Sequence, residues 1–344
     1  MRVEQCYLCG SKNYKRREGV VRDAADINVL ECLECGLVFL DRQIVDSGFY
    51  ADNEMLSREF FATTKRDNGG SLKDNIREHE IDWLLFTQER VERLKSELVG
   101  KDILDFGSGH GQFLCLAKQY ARSVAGVEVE SQVEGIYKEN GIPLLRSLEE
   151  LDSGERNAEG RVADVESQTA IPLSVIRPLS GGGESSFASP LKNVESSKKF
   201  DVITLFHVLE HLSDPISMLK ILKNYLKENG KIIVEVPNAN EALISIFDNA
   251  AFKNMIYTKV HLYAYTHATL ATIAKKAGLK VDFIKGIQRY PLSNTLYWLS
   301  HNKPAGQKKW GGFIDNPKLQ SEFEQTLASL NATDTIMASF SVES

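Results

Sequence analysis

Two imidazoles and a carboxylate stand close together in LFHVLEHLSDP, residues 205–215, where His207, Glu210 and His211 spell H-x-x-E-H. Such a set can hold a metal ion or move a proton, because histidine is the side chain whose ordinary pKa lies nearest neutral pH. A second chemical set opens the chain. Cys6 and Cys9 form one C-x-x-C pair, Cys32 and Cys35 another, and 22 residues separate them. In a reducing compartment this spacing reads as metal, not disulfide. Four thiolates close a tetrahedral zinc site with no open position, so the ion's role there is structural. Gly10 and Gly36 follow the two pairs, where a tight knuckle turn suits glycine. A third set lies in KDILDFGSGHGQFLCLAKQY, in which a short strand ends at Asp105, Gly107, Gly109 and Gly111 make a loop, and a helix begins. A strand, a glycine turn and a helix N-terminus form a natural ligand cradle. Position 112 is Gln, so the dinucleotide fingerprint G-x-G-x-x-G is not met.

These sets need elements to position them. SVAGVEVE (123–130) reads as a second strand that places Glu128 near its end, where a carboxylate can accept from two ribose hydroxyls. IPLLRSLEEL supplies a third short strand, FDVITLF (200–206) a fourth and GKIIVEVPN (230–238) a fifth. Strands alternating with helices predict a doubly wound α/β sheet, parallel and covered on both faces. In zinc proteases with H-x-x-E-H, the motif lies inside one helix. Here His207 directly follows an apolar strand, and Asp214-Pro215 is a helix start with Asp as N-cap. Residues 207–213 are therefore a strand-to-helix connection at the carboxyl end of the sheet, where such folds bind ligands. That placement favours proton transfer over metal binding.

Length and composition narrow the function. The 344 residues are 42% hydrophobic and 26% charged, with a net charge of −6. This is ordinary for a globular protein, and the acidic balance argues against a broad grip on nucleic acid. No run of 18 apolar residues and no signal peptide stand out, so the expected compartment is the cytoplasm, without membrane insertion. The fifth cysteine, Cys115, reads as a core residue of the helix after the glycine loop. The expected organisation is a zinc-binding segment at 1–40, a helical linker or lid at 41–100, a cofactor-binding domain at 101–290, and a C-terminal cover with the last strand at 291–344. Residues 152–199, rich in Gly, Ser and Glu with one aromatic, read as a flexible insertion.

The strand–loop run Asp105, Gly107, Gly109, Gly111 resembles motif I of class I S-adenosylmethionine (SAM) methyltransferases, and FHVLEHLSDP resembles their segment after the fourth strand. VEVPNANEALISIFDNAAF, HLYAYTHATLATIAKKAGL and QRYPLSNTLYWLSHNKPAG look like bacterial methyltransferases with an N-terminal zinc-binding segment. The resemblance implies a seven-stranded Rossmann-like methyltransferase sheet. GLKVDFIKGIQRY would be its sixth strand, and TDTIMASFSV its seventh, inserted antiparallel. It implies SAM and structural Zn2+ as cofactors, with Asp105, Gly107, Gly109, Gly111, Glu128, Phe206 and His207 around SAM. Part of that wider group acts in sugar and surface-polysaccharide pathways, so the expected acceptor is a small molecule, a sugar or nucleotide-linked sugar of carbohydrate biosynthesis. Candidate bases are His207, Glu210 and His211, then His261 and Tyr263 of HLYAY. Two other classes remain in view: a nucleic-acid or protein methyltransferase docked by the zinc ribbon, and a non-catalytic binding protein. The aromatic, Lys-containing segment 291–330 is a candidate pocket cover or homo-oligomer contact.

Overall fold

A computed structural model describes residues 2–43, 72–152 and 198–342. The aromatic stretches at 47–56 and 60–70, read as a lid, lie outside the described residues, as does nearly all of the insertion at 152–199. Three strands come first: β1 (Tyr14–Arg16), β2 (Val29–Cys32) and β3 (Val38–Leu40). β4 (Asp102–Phe106), β5 (Ser123–Val127), β6 (Leu144–Leu145), β7 (Phe200–Phe206) and β8 (Leu226–Pro237) follow, then β9 (Tyr263–Ala264), β10 (Leu279–Ile287) and β11 (Thr335–Val342). The helices are α1 (Leu72–Leu98), α2 (Gln112–Ala117), α3 (Glu134–Glu139), α4 (Glu149–Asp152), α5 (Pro215–Lys223), α6 (Ala242–Ser245), α7 (Ala250–Ile256), α8 (His267–Lys276), α9 (Leu292–His301), α10 (Gly306–Ile314) and α11 (Pro317–Ser329).

Seven strands form one sheet in the order β10-β11-β8-β7-β4-β5-β6. β4 runs parallel to both β5 and β7, and β5 parallel to β6. The last strand, β11, enters between β10 and β8 and is antiparallel to β10. This is the doubly wound, mostly parallel sheet expected from the sequence, with the antiparallel last strand that the resemblance implied. In the central strands β4 and β7 successive residues are buried whichever face they point to, as a sheet covered on both faces requires.

The chain divides into two compact units. One comprises Asp46–Phe206 and Ile221–Ile232. Within it, α1 buries Val91, Leu94 and Leu98, a stripe at helical spacing, while Trp83, Leu84 and Leu85 remain exposed. At the opposite ends of β4 and β7 from the glycine loop, Asp102 and Asp201 share Lys227 and Arg122. Lys227 reaches Asp201 at 2.8 Å, and Arg122 reaches it at 2.9 Å.

The other unit comprises Met1–Val45, His207–Lys220 and Ile233–Ser344. Here β1, β2, β3 and β9 form a small antiparallel sheet, so HLYAY supplies a fourth strand to the cysteine segment. Val21, Ile27, Val29, Val38 and Leu40 make its core with Ala239 and Tyr257. The 291–330 segment folds as α9, α10 and α11. Trp298 is buried edge-on against Phe252, with ring centroids 5.1 Å apart, so one of its aromatics is plain packing.

Candidate active site

The glycine loop leaves β4 with Gly107, Gly109 and Gly111 all in the left-handed region, at φ 71°, 51° and 68°. L-residues pay about 1–2 kcal/mol to stand there. A Cβ on Gly111 would meet the Tyr137 ring at 2.9 Å, whereas one on Gly109 would meet nothing within 4 Å. Gly111 is therefore required by packing, and Gly109 borders open space. Glu128, just past β5, accepts the Gly109 N–H at 2.8 Å through Oε2 and the Glu130 N–H at 3.0 Å through Oε1. A carboxylate offers about four lone-pair positions, so each oxygen keeps capacity for a ligand hydroxyl. The Tyr137 hydroxyl stands against the loop, 2.6 Å from Ser108 Oγ and 3.1 Å from the Gly109 carbonyl. Burial pushes its phenol pKa up, so it remains a neutral donor.

Asp105, expected around SAM, sits within β4 (Asp102–Phe106). It is buried and accepts the Thr204 hydroxyl at 2.6 Å. Asp105 and Thr204 are register partners on β4 and β7, so the two side chains share a face. Burial pushes its carboxyl up to about 7, against the pull of Thr204. Phe206 stands edge-on to Phe113 with centroids 4.8 Å apart, and the Arg90 guanidinium lies 4.4 Å above its ring. Arg90 and Tyr137 were not singled out in the sequence. Arg90 lies in a charged helix, QERVERLK, where one cation carries no distinguishing signal.

In the other unit, H-x-x-E-H is not helical over its length. His207 has φ 57°, a left-handed position that a non-glycine residue holds only when its surroundings enforce it. Glu210 and His211 sit in a single 3-10 turn, Leu209–His211. Asp214 accepts the Ser217 N–H at 3.0 Å and starts α5, as expected.

His207 Nδ1 lies 3.3 Å from Glu210 Oε1, and Nε2 lies 3.2 Å from Glu235 Oε1 and 2.8 Å from Arg289 Nη1. Arginine only donates. Glu210 can only accept, so Nδ1 donates to it; at Nε2 Arg289 can only donate and Glu235 only accept, so one form of the ring serves one of these two contacts. Doubly protonated, the ring would face carboxylates at both nitrogens.

Burial alone would raise the Glu210 carboxyl, but the hydrogen bond from His207 holds it down at about 2. Burial lowers the His211 pKa. His211 Nδ1 meets the Val260 carbonyl at 3.0 Å, so this nitrogen carries the proton and Nε2 the lone pair. Burial, then the neighbouring His211, lowers His261 to about 3. The two rings meet edge-on at 4.9 Å. The donor atoms of Glu210, His211 and His261 all lie within 4.8 Å of one another, so this trio could also hold a cation.

Tyr263, a candidate base, is buried and donates its hydroxyl to the Ser213 carbonyl at 3.0 Å, while burial raises its pKa. Arg289, 82 residues from His207 in sequence, was not anticipated.

The four cysteines converge. Their sulfurs lie within 4.8 Å of one another, with Cys6–Cys35 and Cys9–Cys32 each at 3.5 Å. Sulfurs about 2.3 Å from a tetrahedral zinc would stand about 3.8 Å apart, so the arrangement fits the ion. Each pair forms the same turn: Gly10 N–H bonds to Cys6 O at 2.8 Å, and Gly36 N–H to Cys32 O at 2.9 Å. Gly10 and Gly36 have φ 74° and 76°. Burial pushes the Cys6 thiol up to about 11 and raises Cys35 as well. Burial acts the same way on Cys32, but the Cys35 and Glu34 amides outweigh it and draw that thiol below its usual value. Four thiolates together therefore call for a divalent counter-charge.

A mostly parallel seven-stranded sheet with its last strand inserted antiparallel, a left-handed glycine loop after β4 and an acidic residue after β5 define a Rossmann-like methyltransferase architecture. Residues 78–282 match the family model described as "Methyltransferase domain", and the chain belongs to that family. It is 26% identical over 226 residues to a ubiquinone biosynthesis O-methyltransferase of Ralstonia nicotianae, covering 64% of this chain and 77% of that one. A protein of the same name from Coxiella burnetii is 24% identical over 201 residues, covering 57% and 71%. Among solved structures, a magnesium protoporphyrin IX methyltransferase from Synechocystis with bound SAH aligns over 86% of this chain and 97% of its own, at 10% identity and a TM-score of 0.44. A SAM-dependent methyltransferase from Archaeoglobus fulgidus covers 75% and 93% at 16% identity, with a TM-score of 0.42. The fold assignment rests on the strand order and the family match. Among the described residues, no helix is long and apolar enough to cross a membrane.

Proposed function

We propose that the chain transfers a methyl group from SAM to a hydroxyl, or to a carbon beside a carbonyl, of a small molecule. The observation that carries this reading is the loop at Gly107–Gly111, left-handed at three glycines, open at Gly109 and tied by its amide to Glu128. Glu128 would accept the ribose hydroxyls, Phe206 would pack on the donor's flat surface, and Arg90 would offer a cation to its carboxylate. Asp105 would act through the strand end, since its side chain is committed to Thr204.

SAM supplies an activated methyl on a sulfonium. The protein's part is to orient the acceptor in line with that methyl and to take the acceptor's proton. His207 is the base this reading favours. Its Nε2 meets Arg289 and Glu235 and its Nδ1 meets Glu210, so carboxylates stand beside the ring that would take the proton. His211 and His261, held neutral by burial, would line the same loop. Cys6, Cys9, Cys32 and Cys35 would hold one structural zinc, which would tie the two knuckles together.

The sequence resemblance points to a sugar or nucleotide-linked sugar as acceptor. The named relatives favour a second reading, a phenolic hydroxyl, since the relatives found carry the name ubiquinone biosynthesis O-methyltransferase. Calorimetry with SAM and with S-adenosylhomocysteine tests the donor site, where micromolar binding is expected and its absence would end the reading. Radiolabelled methyl transfer to nucleotide deoxysugars and to caffeic acid, run side by side, separates the two acceptor classes.

A further inference from the structure

Tyr7 lies between Cys6 and Cys9 in the first knuckle. Its hydroxyl donates to Asp214 Oδ1 at 2.5 Å and accepts the Ile216 N–H at 3.0 Å. It therefore completes the N-terminus of α5, where Asp214 satisfies the Ser217 N–H and Tyr7 satisfies the amide before it. The Tyr7 ring also packs on Tyr263, with centroids 5.3 Å apart, and Tyr263 donates to Ser213 O.

The same segment grips the connection a second time through its sheet. β3 pairs with β9, the Leu40 N–H bonds to Leu262 O at 3.2 Å, and the Leu262 N–H bonds to Glu210 O at 2.8 Å. Tyr265, just past β9, donates to Leu209 O at 2.9 Å. The carbonyls of Leu209, Glu210 and Ser213 and the amide of Ile216 are thus all held from the cysteine segment or from the strand it pairs with. A connection that keeps His207 at φ 57° needs such outside support.

We propose that Tyr7 is a positioning residue, through which the four-cysteine segment fixes the His207–Ser213 connection and the start of α5. The proposal rests on the reading of His207 as the base, but it can be tested without an acceptor.

Tyr7→Phe keeps the ring and removes only the hydroxyl. Amide hydrogen exchange at 211–217 should quicken about 5- to 10-fold, the scale of one lost hydrogen bond. Exchange at β4 and β5 should stay as in the native protein. The 15N imidazole signals of His207 and His211 should shift or broaden, while metal content and SAM affinity stay unchanged. Cys9→Ser, which opens the knuckle, should quicken the same amides, and in the Tyr7→Phe background it should add little.

Unchanged exchange and unchanged imidazole signals in Tyr7→Phe would overturn the proposal. So would a uniform rise in exchange with a lower melting temperature, which is the mark of a packing role alone. A Cys9→Ser effect of equal size in both backgrounds would also overturn it, because the segment would then act by another route. If the native protein binds no SAM, the methyltransferase reading falls, while these exchange results still decide the role of Tyr7.

Discussion

Gly109 and Gly111 are two residues apart in one loop, yet alanine should do different things at each. At Gly111, φ 68° carries a strain of about 1–2 kcal/mol for an L-residue, and the new Cβ stands 2.9 Å from the Tyr137 ring. Tyr137 is buried and bonded to Ser108 and to the Gly109 carbonyl, so it cannot retreat without losing about 1 kcal/mol for each hydrogen bond. Gly111→Ala should therefore cost stability of roughly 2–4 kcal/mol and weaken SAM binding through a displaced loop. At Gly109 the strain is similar, but the Cβ meets nothing within 4 Å. Its stability cost should stay near about 1–2 kcal/mol. SAM affinity should nevertheless fall at least as far as in Gly111→Ala, because the methyl enters the space the ligand needs, and Gly109→Val should abolish binding. Urea unfolding and SAM calorimetry on the same preparations read both quantities. If Gly109→Ala and Gly109→Val bind SAM as the native protein does, the open face of the loop is not the cofactor cradle.

Elemental analysis should find one zinc per chain, with occupancy lost in Cys32→Ser; a second equivalent lost in His261→Ala would instead place a cation on the Glu210, His211 and His261 trio. His207→Ala should keep SAM affinity and lose methyl transfer by ~10²–10⁴-fold, the range of a general base; full activity would move that role elsewhere. Tyr263→Phe loses its bond to Ser213, so it should lower melting temperature by a few degrees and leave the pH profile of methyl transfer in place. His261 has its folded pKa lowered to about 3 from an ordinary 6.5, so the unfolded chain binds the extra proton. Its contribution is complete above about pH 6.5 and is lost as pH falls towards 3, at up to about 1.4 kcal/mol per pH unit. His261→Phe should flatten the acid limb of a melting curve taken from pH 7 to 4; an unchanged slope would show that His261 is not held neutral.

The parts of the site that were legible in the sequence are those whose partners are close in sequence or whose backbone demands a residue type. The glycine loop, Glu128 after β5 and the two knuckles belong to this class. Asp214-Pro215 announced α5 because an N-cap is a local device. What escaped were side chains defined by distant partners. Asp105 looked like a ligand carboxylate until strand register set it beside Thr204. The bond of Tyr263 to Ser213 depends on β9 pairing with β3, which no local pattern announces. Tyr7 and Arg289 carry no local signal, since each acts on residues 207–216 across long stretches of sequence. The lengths of β5 and β6 also fell short of expectation. Glu128 and Arg146 lie beyond their strands, and Arg146 donates to the carbonyls of Glu128 and Glu130 at 3.2 and 2.7 Å, ending β5 in a turn that presents the Glu128 carboxylate.

The surroundings of His207 explain why an H-x-x-E-H sequence need not be a zinc motif. A metal-ligand histidine needs one nitrogen free for the ion and the other oriented by an acceptor. His207 has a carboxylate near each nitrogen and a guanidinium 2.8 Å from Nε2, a position a cation would have to contest with Arg289. The same surroundings suit a base, whose neutral and protonated forms must both be stable within one cycle. Arg289 and Glu235 both meet Nε2, and Glu210 meets Nδ1, so the ring is held at both nitrogens. Arg289→Gln and Glu235→Gln each remove one neighbour of Nε2, so each should lower methyl transfer while SAM affinity stays as in the native protein. Full activity in both variants would show that neither neighbour serves His207.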